Sequence, residues 1–258
     1  MSEIIAPYGG YRKMLSFGFV CLAYHATVTF CRRNFDCKND SLGKTVGQMV
    51  GAARSARRNL VEASSRAGTS VETELKLLDV AKASLQELAG DYEAFLLDRG
   101  FSPWSEKTHE AETFRNLRYD PFDPREGDVR HAFGEHFLRM RSRFAPFLEP
   151  EDPIVAANGV LLCIDRASVL LRRQMEKTVE SFTETGGFTE RMSKARIEAR
   201  DAVRGEARRN EATETRESPA CPKCGATMRK RLAKKGRNAG NVFWSCPNWP
   251  ECDGTRPC

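Results

Sequence analysis

Residues 55–96, SARRNLVEASSRAGTSVETELKLLDVAKASLQELAGDYEAFL, decide how this chain folds. On either side of Gly68 the apolar residues recur at steps of three and four, the period of an α-helix with one buried face. The upstream seam is Leu42, Val46, Met49, Ala53, Ala56, Leu60 and Ala63, and its small members permit close approach of a neighbouring helix. The downstream seam is Val71, Leu75, Leu78, Ala81, Leu85, Leu88, Tyr92 and Phe95, running on to Gly100. Thr69, with Glu72 three residues later, reads as a capping box that opens the downstream helix. Long helices joined by so short a turn fold back as an antiparallel hairpin.

Before this hairpin, a helix is expected from about Arg12 to Arg32. Leu15, Phe19, Leu22 and Ala26 lie at helical spacing, with Phe17, Val20 and Val28 off that stripe. A helix apolar on several sides must be covered on several sides, which points to burial between neighbours in an oligomer. The segment Met14–Phe30 follows two basic residues, as a signal peptide or membrane span would. It is short for a bilayer, contains His25 and lacks a small-x-small cleavage site, so a core helix and no membrane are expected. Asn34–Ser41 reads as a turn, with Ser41 capping the next helix.

Beyond the hairpin, Val160, Ile164, Ala167, Leu171, Met175, Val179 and Phe182 supply another helical stripe over residues 154–185. An insertion over about 101–153, broken by Pro121, Pro124 and Gly127, separates the two regions. Within it a charged helix is expected over Asp128–Phe144, with Phe133, Phe137, Met140 and Phe144 on one side. His131, Glu135 and His136 do not read as a metal site, because histidines five apart share a helix face poorly. His109-Glu110 likewise lacks the second histidine of a metalloprotease motif. The expected fold is all-α: an antiparallel four-helix bundle over 10–187 with a helical insertion, then a charged segment and a small C-terminal module.

The quoted stretch is similar to the four-helix-bundle proteins first noticed as products of intervening sequences in bacterial large-subunit ribosomal RNA. Their second helix carries S-x-x-x-N-I-A-E-G, matched here by Ser55, Asn59 and Glu62, with Ala63 in place of the glycine. Their third helix carries A-x-x-S-L-x-E-L, matched by Ser84, Leu85, Glu87 and Leu88. The resemblance covers residues 10–100 and resumes at about 154–185. It implies a non-enzymatic protein that assembles into rings, typically pentamers, with basic surfaces. Relatives serve as nucleic-acid-binding accessory subunits of reverse transcriptases in diversity-generating elements. The run Gly186, Gly187, Phe188, Glu190, Arg191 resembles an extended subgroup of that family.

The C-terminal module is residues 221–258, CPKCGATMRKRLAKKGRNAGNVFWSCPNWPECDGTRPC. Cys221 and Cys224 are separated by two residues, Cys246 and Cys252 by five, and the pairs by 21, the spacing of a four-cysteine zinc ribbon. A short antiparallel hairpin can bring the pairs together, and four thiolates leave no open coordination position, so one structural Zn2+ is expected. The run also resembles the C-terminal zinc fingers of bacterial DNA topoisomerases, in which an aromatic precedes the third cysteine and an aromatic-proline pair lies within C-x5-C. Here these are Phe243, Trp244, Trp249 and Pro250. That resemblance implies binding of nucleic acid, chiefly single strands.

The residues themselves point the same way. Arg229, Lys230, Arg231, Lys234, Lys235 and Arg237 suit phosphates, while Phe243, Trp244 and Trp249 offer faces for unpaired bases. The alternative is that the aromatics form the mini-core of a domain too small to fold without its metal. Residues 221–258 hold eight Lys or Arg and two Asp or Glu, which accounts for the whole net charge of +6. The remainder is balanced, although Lys44, Arg54, Arg57 and Arg58 make a local positive stripe on the second helix against a single acid, Glu62. Residues 188–218 are rich in Arg, Glu and Ala, with Arg196, Arg200 and Arg204 at steps of four. They predict a polar helix and then a disordered linker over Asn210–Ala220.

Nine cysteines comprise the four ligands plus Cys21, Cys31, Cys37, Cys163 and Cys258. An odd total beside a thiolate site indicates a reducing compartment, the cytoplasm. No nucleophile-base pair, glycine-rich phosphate loop or paired-carboxylate constellation stands out, so a binding protein rather than an enzyme is expected. Its partners are nucleic acid, single-stranded DNA or RNA above all, and copies of itself. The alternative is an adaptor whose bundle recruits a protein such as a reverse transcriptase while the ribbon docks on protein.

Overall fold

The computed structural model describes residues 10–35, 44–124, 128–235, 237 and 239–258. Cys37, the expected cap Ser41, the seam residue Leu42 and the breaker Gly127 lie outside the described residues. The chain is mainly α and divides into two compact units, Met1–Arg191 and Met192–Cys258.

In the first unit a short 3-10 turn, Gly10–Lys13, leads into α1 (Leu15–Asn34), followed by α2 (Thr45–Arg66) and α3 (Val71–Leu97). The insertion carries α4 (His109–Asn116) and α5 (Val129–Leu148), and α6 (Pro153–Thr185) closes the unit. The helices α1, α2, α3 and α6 pack around one core, with α2 against α3 and α6 against both α1 and α3. Met49, Ala53, Ala56, Leu60 and Ala63 of the upstream seam are buried, as are Leu78, Ala81, Leu85, Leu88, Tyr92 and Phe95 of the downstream one. The buried Tyr92 hydroxyl donates to Thr27 Oγ1 at 3.1 Å, and Thr27 donates to the Ala23 carbonyl at 2.7 Å, so the polar tips in this core are satisfied.

Three of the matched residues, Ser55, Asn59 and Ser84, meet one another. Ser55 Oγ accepts from Asn59 Nδ2 at 3.1 Å and from Ser84 Oγ at 3.2 Å, joining α2 to α3 at the edge of the core.

The α2–α3 turn differs from expectation by one residue. Ser70, not Thr69, caps α3: its Oγ accepts from the Thr73 backbone N–H at 3.2 Å. Thr69 hydroxyl instead donates back to the Arg66 carbonyl, and Glu72 pairs with Lys76 one turn on. Both hydroxyls sit three or four residues before an acid, and only the backbone position of Ser70 aims its oxygen at the free N–H groups.

The insertion explains why α1 is apolar on several sides. Helix α5, capped by Asp128 accepting from the Arg130 and His131 N–H groups, lies against α1 and α6. Phe133 and Phe137 stand 5.7 Å from Phe17 and 5.2 Å from His25, ring centre to ring centre, and Phe144 makes an edge contact with Phe19 at 5.4 Å. Coverage of α1 is thus supplied within the chain, and its composition no longer argues for an oligomer. At Gly159 of α6 a Cβ would run into the Phe147 carbonyl, so the close approach of α5 requires glycine there. His131 is exposed beside Glu135, whereas His136 packs on Tyr119 and Phe122, so the three form no joint site.

The stripe on α6 is buried through Val160, Ile164, Ala167 and Leu171, after which Val179 and Phe182 emerge onto the surface. By length and composition, Pro153–Glu206 contains the one stretch among the described residues apolar enough to cross a membrane, and half of that 18-residue window is buried inside the protein. Cys21, Cys31 and Cys163 are buried and act as small apolar residues, burial pushing the Cys21 thiol up to about 12. The charged helix α7 (Phe188–Glu217) continues through residues expected to be a linker, because its Glu, Arg and Ala residues are strong helix formers.

Ser70→Ala should lower stability by about 1 kcal/mol, and Thr69→Ala by much less, in urea unfolding followed by circular dichroism. A second prediction concerns Glu74 of α3, whose carboxyl is raised by burial despite the hydrogen bond from Thr178. A raised carboxyl favours the folded state while protonated, and that contribution is lost as pH rises above the unfolded value of about 4.3. Glu74→Gln should therefore stabilise at pH 7 and change little at pH 4.

Candidate metal centre and nucleic-acid interface

In the second unit, the segment after α7 forms a three-stranded antiparallel sheet in the order β1 (Arg229–Leu232), β2 (Val242–Ser245), β3 (Thr255–Pro257). The hairpin β1–β2 was expected; β3, contributed from beyond the fourth cysteine, was not. Two tight turns carry the cysteines. Gly225 N–H donates to the Cys221 carbonyl at 3.0 Å in the first, and Cys252 N–H to the Asn248 carbonyl at 2.8 Å in the second. Cys246 N–H to the Gly254 carbonyl, 2.9 Å, closes the second turn onto the sheet.

These turns bring Cys221, Cys224, Cys246 and Cys252 together, with all four sulfurs within 4.8 Å of one another. Cys221 and Cys252 sulfurs are 3.7 Å apart and those of Cys224 and Cys246 3.4 Å. A tetrahedron with metal–sulfur bonds of about 2.3 Å has edges of roughly 3.8 Å, so the cluster fits a metal ion bound by four thiolates. Asn248 Nδ2 points at Cys224 sulfur at 3.8 Å. Backbone N–H groups of Lys223 and Cys224 hold the Cys221 thiol down to about 7, favouring the thiolate a metal requires. Desolvation acts oppositely on Cys246 and pushes it up to about 12. Lys223 and Asp253, at 2.5 Å, clip one turn to the other at the surface.

Gly254 is a site residue that the spacing did not reveal. A Cβ there would collide with the Cys221 sulfur and crowd that of Cys252, so the second turn approaches the first only because this position is bare. Met228 is another: with Cys221 and Cys246 it makes the buried apolar cluster of this module among the described residues.

Arg229, Lys230, Arg231, Lys234, Lys235 and Arg237 are all exposed, and none makes an ion pair among the described residues. Arg256 on β3 joins them, an exposed cation opposite Trp244 that only the third strand brings into place. The three aromatics divide. Trp244 is half-buried against the cysteine core with Lys230 Nζ 5.1 Å from its ring centre, so it serves partly as mini-core. Phe243 is half-buried and lines a shallow groove with Asn241, Arg256 and Pro257. Trp249 is 61% exposed, on the turn between the third and fourth cysteines.

The arginines expected on the second helix belong to the first unit. Arg54 and Arg58 are exposed on α2, whereas Arg57 is half-buried with its guanidinium 4.6 Å from the Tyr24 ring centre.

Cys224→Ser should abolish stoichiometric metal binding and unfold this module while leaving the α-helical signal of residues 10–191 intact. Gly254→Ala should weaken metal binding by about tenfold or more, as for loss of ligand-orienting partners, in competition with a chromophoric chelator. Because the thiols must lose protons, affinity should rise with pH between 6 and 8 for the native chain.

No protein-family model, curated protein or solved structure matches this chain.

Proposed function

We propose that this is a non-enzymatic accessory protein that binds single-stranded or structured nucleic acid through a zinc ribbon carried by an antiparallel four-helix bundle. One observation carries the reading: around a sheet that carries four clustered cysteines, seven exposed basic side chains make no ion pair among the described residues, and the same module exposes a tryptophan, Trp249. Unneutralised cations release counterions when they meet phosphates, and flat rings stack on bases of any sequence. Zinc is the metal proposed, since four thiolates in a closed tetrahedron suit its structural role and leave no site for a reacting water. Arg54 and Arg58 offer a further basic edge on α2, with Arg57 held against Tyr24. Assembly of the bundles into a homo-oligomer in the cytoplasm would gather several ribbons on one strand and raise affinity through linkage.

The adaptor reading rests on Val179 and Phe182, exposed at the end of α6, which suit a protein partner such as a reverse transcriptase. It predicts partner binding that is insensitive to salt.

Fluorescence anisotropy with a labelled single-stranded oligonucleotide separates the two. Changing Lys234, Lys235 and Arg237 together to Gln should weaken binding of full-length protein and reduce the salt slope by about 0.7 per lost phosphate contact. Trp249→Ala should weaken binding by about 1–3 kcal/mol with the slope unchanged. Unaltered binding by both variants would move the interface off the ribbon.

A further inference from the structure

Within the first unit a cavity of about 580 Å³ opens between α1, α2 and α5. Four arginines line it: Arg12, Arg57, Arg58 and Arg130. None of them makes an ion pair among the described residues, and Glu62 is the one carboxylate on the lining, so the pocket is strongly positive. Concentrating guanidinium groups without counter-charges is unfavourable unless an anion joins them.

Two of the arginines are pre-positioned. Arg57 lies over Tyr24 at 4.6 Å, and Arg12 lies over Tyr11 at 4.6 Å and faces Phe133 at 5.7 Å. Stacking occupies the flat face of a guanidinium and leaves its in-plane N–H groups free for oxygen acceptors. The remaining wall is aromatic, with Phe133 and Phe137 nearly parallel at 18° and 6.3 Å. His25 completes it and is kept neutral by burial and by the neighbouring Arg141 and Arg57.

We infer that this pocket binds a phosphorylated nucleoside, with the phosphate held by Arg12, Arg57, Arg58 and Arg130 and the base against Phe133 and Phe137. The volume falls in the range of about 300–1,000 Å³ typical of small-ligand sites. Several guanidinium forks meet the oxygens of a phosphate monoester better than a two-oxygen carboxylate. The site is built wholly from residues of the first unit and includes none of the clustered cysteines. The ligand is either a free nucleotide or the 5′-phosphorylated end of a strand.

Calorimetric titration of the full-length protein with AMP tests this. One AMP should bind per chain, more tightly than inorganic phosphate or adenosine. Arg58→Gln and Arg130→Gln, exposed side chains without ring contacts, should each weaken it about tenfold, the loss of one charge-assisted contact, without lowering thermal stability. Arg54→Gln, outside the pocket, and Arg231→Gln, on the ribbon, should leave it unchanged. Displacement of AMP by a 5′-phosphorylated but not a 5′-hydroxyl oligonucleotide would identify a strand end, and failure of both to displace it would identify a free nucleotide. Absence of AMP binding up to millimolar concentration, equal affinity for inorganic phosphate, or indifference to Arg58→Gln and Arg130→Gln would overturn the assignment.

Discussion

Four sulfurs within 4.8 Å of one another are the constraint on which the C-terminal module depends. Apart from its cysteines the module's one buried apolar side chain among the described residues is Met228, with Trp244 and Ala226 packed alongside. Below about 40 residues such a core does not offset the entropy of ordering the chain without a metal or disulfide. On the proposed reading, metal–thiolate bonds would do for this module what apolar burial does for the helices. Such bonds would fix two turns and with them the register of three short strands, which sets Lys230, Trp244 and Arg256 side by side. A surface so rich in like charge would not hold a sheet by itself; the charge is affordable because the fold is secured from beneath.

The helical unit is built on the opposite principle. Its core runs from Phe19 through Leu60, Leu85 and Leu171, with the buried Tyr92 hydroxyl paired to Thr27, and is closed by apolar burial. What distinguishes it is the insertion. By laying α5 on the outer side of α1, the chain covers an apolar helix that would otherwise demand a partner, and creates a pocket whose wall is partly α2 and partly α5. Arginines that a helical wheel assigns to a solvated stripe become, at Arg57, a half-buried stacked group.

Much of this was legible in the sequence, and the exceptions have physical causes. The α2 and α3 seams follow a 3.6-residue period that burial preserves, so Met49, Leu60, Leu78 and Leu85 lie where spacing puts them. Cysteine spacing is equally direct, because the reach of a tight turn limits which thiols can share an ion. The cap at Ser70 was misplaced onto Thr69 because adjacent hydroxyls are indistinguishable until backbone angles are known. Strand β3 has three residues, one of them proline, too short for a periodic signal. Gly254 and Gly159 matter only through atoms distant in sequence or on another helix, which no local pattern encodes. The linker expected at Asn210–Ala220 is largely helix, since high charge reports solvation and not the absence of structure.

The central claim is that nucleic-acid binding belongs to a ribbon held by its metal. The most direct measurement is binding of a single-stranded oligonucleotide by the full-length protein before and after removal of zinc with a chelator, with helix content followed in parallel. The account predicts that binding falls at least tenfold while the helical signal is unchanged, and that added zinc restores it. Undiminished binding by the metal-free protein with its helices intact would contradict it.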